Sequence, residues 1–167
     1  MPIVEPEVLM DGDHSIDVCE EVTDLVLDAV FAELSAQNIL LEGMVLKPNM
    51  VVSGKKCPQQ ASVDEVAERT VRVLRRRVPA AVPGIAFLSG GQSDVDATAH
   101  LDAMNRIGNL PWSLTFSYGR ALQAAALKAW GGKADNLAAA RAAHLHRASM
   151  NGLASKGEWT TQREKAA

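Results

Sequence analysis

Cysteine is nearly absent: Cys19 and Cys57 are the only two, and neither has a CxxC or Cys/His pattern beside it. That argues against a disulfide framework or a structural zinc site, and it fits a reduced, cytosolic setting. No charge of one sign dominates, since 17 Lys and Arg face 20 Asp and Glu for a net charge of −3. The balance recommends neither a nucleic-acid backbone nor an anionic membrane as partner. Long apolar runs are missing too. None approaches the roughly 20 residues of a membrane helix, and Met1-Pro2-Ile3-Val4-Glu5-Pro6-Glu7 lacks the basic and apolar regions of a signal peptide. A soluble, unexported protein is expected.

What is present is apolar material for one core, 47% of 167 residues, arranged in a repeating order. Four times a short β-prone run is followed by a polar turn and a stretch of helical periodicity. Ile3-Val4 ends at Glu5-Pro6-Glu7, and Val18, Val22, Leu25, Val26, Ala29, Val30 and Leu34 then recur as an amphipathic helix of about five turns. Met44-Val45-Leu46 reaches Lys47-Pro48-Asn49, and the next helix is announced by the capping box Ser62-Val63-Asp64-Glu65 and closes near Pro79 with Arg75-Arg76-Arg77. Pro83-Gly84 precedes Ile85-Ala86-Phe87-Leu88, which Ser89-Gly90-Gly91-Gln92-Ser93 terminates before a helix from about Asp94 to Arg106. The fourth strand, Trp112 to Ser117, leads through Tyr118-Gly119-Arg120 into a helix stopped by Gly131-Gly132. A last helix, about Asn136 to Asn151, and a polar tail from Ser155 follow. Alternating strands and helices predict parallel βαβ units. Four units are half of what a (β/α)8 barrel closes with, though an open doubly wound sheet has the same pattern.

In parallel α/β folds, loops and helix N-termini converge at the C-terminal ends of the strands. There the sequence places Glu5 and Glu7, Lys47, Ser89-Gly90-Gly91 and Ser117 to Arg120. Side chains alternate along a strand, so Glu5 and Lys47 are expected to project to the same side from adjacent strands. A strand-end amine shielded from water can attack a carbonyl to form a Schiff base, with carboxylates moving protons. Equally, Lys47 could be a snorkelling lysine or a structural ion pair, and Glu-Pro-Glu a solvated strand exit. Ser89-Gly90-Gly91 leaves a strand before a helix, where bare amides can cradle phosphate, and Arg120 at the next strand end offers a bidentate fork. Alone, each is also an ordinary turn or helix start. His14, His100, His144 and His146 carry no metal-ligand pattern and are expected to be solvated. Arg75-Arg76-Arg77, without aromatic interleaving, is expected to be a water-exposed helix terminus, and Met44 and Met50 to be packing.

Five strings, Val4-Glu5-Pro6-Glu7, Leu41 to Met50, Phe87 to Ser93, Leu114 to Gln123 and Lys128-Ala129-Trp130-Gly131-Gly132, together resemble the class I fructose-bisphosphate aldolases, in order from Pro2 to about Gly157. The resemblance implies a (β/α)8 TIM barrel of which residues 1–154 are the C-terminal half, strands five to eight, with 155–167 as tail. It implies reversible cleavage of fructose 1,6-bisphosphate to dihydroxyacetone phosphate and glyceraldehyde 3-phosphate, without metal or cofactor, by a homo-oligomer when full length. It makes Lys47 similar to the family's Schiff-base lysine, Glu5 to its general acid/base and Glu7 to the carboxylate that orients the amine. Ser89, Gly90, Gly91, Ser117, Gly119 and Arg120 resemble its phosphate-binding groups.

Met44-Val45 stands where the family usually has Thr-Leu, and Val51-Val52-Ser53-Gly54 where Val-Thr-Pro-Gly is usual. The family's earlier strands, with an aspartate and further lysines lining the site, are not in this chain, nor is the C-terminal tyrosine of the animal enzymes. Two alternatives of other classes are a non-catalytic phosphate-binding half-barrel that dimerises over its open edges, and a flavodoxin-like binding protein with a structural Lys47.

Overall fold

A computed structural model describes residues 1–165. Four strands, β1 (Ile3–Val4), β2 (Val45–Leu46), β3 (Gly84–Phe87) and β4 (Ser113–Phe116), lie in chain order in one sheet, and every neighbouring pair is parallel. Between and after them run α1 (Ile16–Ala36), α2 (Val63–Arg77), α3 (Asp94–Ile107), α4 (Arg120–Trp130) and α5 (Leu137–Ala154). The expected strand–helix alternation and parallel pairing are what is found. Each of α1 to α3 opens on a serine whose hydroxyl accepts an amide of the first turn: Ser15 from Val18, Ser62 from Glu65, Ser93 from Asp96. Left-handed Gly131 ends α4.

Register decides which side of the sheet each strand-end residue faces. Val4, Leu46, Ile85 and Leu114 form one row, and the last three are fully or nearly fully buried. Val71, Leu74, Leu101 and Met104 from α2 and α3 belong to the same core. Ile3 and Val45, one position back, face the more open side, with Ile3 53% exposed. Met44 and Met50 are buried in the core, as expected of packing residues.

Three expectations need correcting. Arg76 and Arg77 do not simply meet water: Arg76 pairs with Asp24 at 2.9 Å, and Arg77 with Asp24 and Asp28 at 2.5 Å. With Arg69 and Arg72 on Glu20, they make a ladder of ions between α1 and α2. His100 is not solvated; it is 8% exposed within α3, and His14 and His146 are half-buried. The residues after Ser155 are not merely a polar tail. Trp159 is buried with its amide donating to Asp102 at 2.8 Å, and a short helix, α6 (Thr161–Lys165), follows. Residues 166 and 167 of that tail lie outside the described residues.

Candidate active site

The parallel ladder continues one residue beyond the strands and carries the site. Lys47 donates its amide to the Val4 carbonyl at 2.8 Å, Leu88 to Pro48 at 3.2 Å, and Ser117 to Phe87 at 3.0 Å. The strand exits are thereby held side by side. On the open side of the sheet, the Lys47 ammonium meets a Glu5 carboxylate oxygen at 3.0 Å. The Lys47 side chain is 18% exposed against 48% for Glu5, so the amine is shielded from water while the carboxylate remains in exchange with it. Such a pair can pass a proton between amine, carboxylate and solvent.

Around this pair is a cavity of about 260 Å³ lined by Glu5, Glu7 and Lys47 on one side and by Leu88, Ser89 and Gly90 behind. Ser117, Tyr118, Gly119 and Arg120 complete it. Its size falls just under the roughly 300 Å³ at which ordinary small-molecule sites begin. Glu7 shares the cavity without pairing with Lys47, whose ion-pair partner among the described residues is Glu5. Ser89 is buried, and Gly90, at φ 58°, is in the left-handed region that turns the backbone toward the cavity. Arg120 is exposed at the first turn of α4 and makes no ion pair among the described residues, leaving its guanidinium available to an anion.

Gly91 is placed elsewhere. It lines an adjoining cavity of about 400 Å³ with Met10, Lys55, Gln60, Gln92 and His100. A Cβ on Gly91 would come within 2.5 Å of the Lys55 ammonium nitrogen. Two groups named in the sequence were given no role there. Tyr118 lines the first cavity, its ring edge-on to Phe116 with centroids 4.2 Å apart, its hydroxyl donating to Asn151 at 2.8 Å, and burial pushing it up to about 12. His100 stands in helical phase with buried Ala97, Leu101 and Met104, a spacing that would have put it on the inner face of α3.

Parallel β/α units whose strand exits converge on an amine, two carboxylates and a serine–glycine turn define an α/β protein with its chemistry at the C-terminal rim of the sheet. The chain belongs to the class I fructose-bisphosphate aldolase family, whose model matches residues 1–167. It is 56% identical over 160 residues to a probable fructose-bisphosphate aldolase class 1 of Xanthomonas campestris pv. campestris, covering 95% of this chain and 48% of that protein. It is likewise 56% identical to fructose-bisphosphate aldolase B of Sparus aurata, covering 44% of it. The crystallised aldolase of Plasmodium falciparum, solved in complex with TRAP and a small-molecule inhibitor, superposes with a TM-score of 0.93 at 52% identity, over 96% of this chain and 46% of that one. The chain thus spans a little under half the length of the relatives it matches.

Proposed function

We propose that this chain carries the Schiff-base half of a class I aldolase site, cleaving fructose 1,6-bisphosphate reversibly into dihydroxyacetone phosphate and glyceraldehyde 3-phosphate. The observation that carries the reading is the 3.0 Å contact between the Lys47 amine and the Glu5 carboxylate beside the Ser89-Gly90 turn. Glu5 takes the ammonium proton, and the freed Lys47 lone pair attacks the C2 carbonyl, forming a C–N bond. The same carboxyl then protonates the carbonyl oxygen, and water leaves to give a protonated imine. As the C3–C4 bond breaks, its electron pair moves into the iminium and the C4 hydroxyl gives up its proton to the carboxylate. The aldehyde departs. Protonation of the enamine and addition of water then release the ketose phosphate and regenerate the amine.

Glu7 positions the amine. Ser89, Gly90, Ser117, Gly119 and Arg120 hold a phosphate ester, with Gly91 shaping the turn behind them. The substrate's reacting carbons are uncharged, so the phosphate grip supplies the binding energy that presents them to Lys47. A cytoplasmic setting and a homo-oligomeric full-length protein belong to the same proposal; no helix among the described residues is long and apolar enough to cross a membrane.

Borohydride reduction in the presence of dihydroxyacetone phosphate, followed by peptide mass spectrometry, tests it. A stable adduct on Lys47 is expected. Phosphate binding without an adduct would instead favour a non-catalytic phosphate-binding half-barrel. The absence of both would leave the fold and the family membership without either activity.

A further inference from the structure

A hydrogen-bond chain runs from the back of the Ser89-Gly90-Gly91 turn into α3. The Gln92 side-chain amide donates to the Ser89 carbonyl at 3.2 Å, and the Gln92 backbone amide donates to that same oxygen at 3.0 Å. The other end of the amide, its oxygen, lies 2.6 Å from His100 Nδ1. These three contacts leave one consistent assignment of protons. A backbone carbonyl only accepts, so the Gln92 nitrogen must face Ser89. Its oxygen then faces the imidazole, and Nδ1 must carry the hydrogen. The turn being held is intrinsically loose: Gly90 and Gly91 have φ of 58° and 89°, a region that glycine enters and leaves at little cost. Ser89, at the front of the turn, is 7% exposed, and His100 behind it is 8% exposed.

We propose that His100, acting through Gln92, is a positioning residue that presets the Ser89-Gly90 turn for a phosphate ester. The inference rests on the reading of that turn as a phosphate grip. His100 touches no substrate; its Nδ1–H fixes the Gln92 amide, and the amide fixes the Ser89 carbonyl and so the direction of the amides that follow. Burial, which pushes the imidazole down to about 4, keeps it neutral through the physiological range, and the Gln92 oxygen selects the tautomer with hydrogen on Nδ1. Preset donors bind an anion without first ordering a glycine turn, so removing the restraint weakens phosphate affinity and leaves the amine chemistry untouched.

The test compares borohydride trapping on Lys47 with dihydroxyacetone phosphate and with dihydroxyacetone, which lacks the phosphate. For His100→Leu the expected result is a half-saturating concentration of the phosphate ester raised roughly tenfold, as for one lost hydrogen bond, with maximal yield and dihydroxyacetone trapping unchanged. His100→Asn, whose side-chain amide can also donate to Gln92, restores affinity to within about twofold of wild type. An unshifted phosphate-ester curve overturns the inference, as does an equal loss with both ketones. Should His100→Leu not fold, Gln92→Leu makes the same comparison, and an unshifted curve there overturns the inference as well. Line broadening of inorganic phosphate in ³¹P spectra separates the two readings. A wild-type chain that binds no phosphate overturns the phosphate reading and this one with it, whereas equal binding by wild type and His100→Leu overturns this one alone.

Discussion

The buried guanidinium of Arg147 is closed off by the carboxylate of Glu164, seventeen residues further along the chain. Arg147 reaches the Thr98 hydroxyl at 2.8 Å and the Asp94 carbonyl at 3.3 Å, while the other Glu164 oxygen accepts the Trp159 indole N–H at 2.8 Å. One carboxylate on α6 thus ties α5, the N-terminal part of α3 and the segment after Ser155 together. Glu164→Ala removes the charge opposite a group 3% exposed and orphans the indole. A loss of about 2–3 kcal/mol is expected in urea unfolding, with less than half of that for Glu164→Gln, which keeps an acceptor.

Lys47→Arg is expected to abolish the borohydride adduct, because a guanidinium cannot act as the nucleophile at neutral pH. Glu5→Gln retains a hydrogen-bond partner for the amine but cannot shuttle its proton. Adduct formation should slow roughly 10²-fold in single-turnover trapping while the adduct mass stays the same. A Glu5→Gln chain trapped at the wild-type rate would remove Glu5 from the chemistry.

Arg120→Lys preserves charge and discards the planar fork. Trapping with dihydroxyacetone phosphate should then require a concentration about tenfold higher, and trapping with dihydroxyacetone should not change. An ordinary helix-start arginine would move neither.

For His100 the sign of the pH effect follows from burial. Desolvation holds the folded imidazole at about 4, against 6.5 when unfolded; Asp96 on its own helix opposes this weakly, and Lys55 faces the same cavity. Above pH 6.5 both states are neutral and the contribution is complete. Between 6.5 and 4 the unfolded chain takes up a proton that the folded one refuses, so stability should fall with pH by up to about 3 kcal/mol. Glu20 and Asp24, held low by hydrogen bonds from Arg72 and Arg77, add a loss of the same sign toward the acid end of the range. Asp102, which burial pushes up, takes its proton in the folded state and opposes part of the decline, so the His100 share is the difference between wild type and His100→Asn. Urea midpoints measured from pH 7 to 4.5 should decline for wild type and run flatter for His100→Asn.

What was legible in the sequence was local or periodic. Glu5 and Lys47 share a side because strands alternate by two and Ile3 pairs with Val45; Ser62 caps α2 because serine three residues before glutamate satisfies a free amide. Pairings across long separations were not legible. Arg77 meets Asp24 across 53 positions, and Trp159 finds Asp102 across 57, with no pattern at either end to announce the other. That Gly90 and Gly91 border different cavities was not legible either: both have positive φ, which rotates the backbone between them. His100 was expected in solvent because a histidine reads as polar, although its helical phase is that of the buried residues beside it.

Only two strand residues on each side, Ile3–Val4 and Val45–Leu46, separate the carboxylate and the amine from the helix-covered layer of the sheet. If the first strand slipped by a single position, Glu5 would swing beneath the sheet and strand the ammonium above it. A misthreaded chain should therefore trap as slowly as Glu5→Gln, and the fast fraction of borohydride trapping would count correctly threaded molecules.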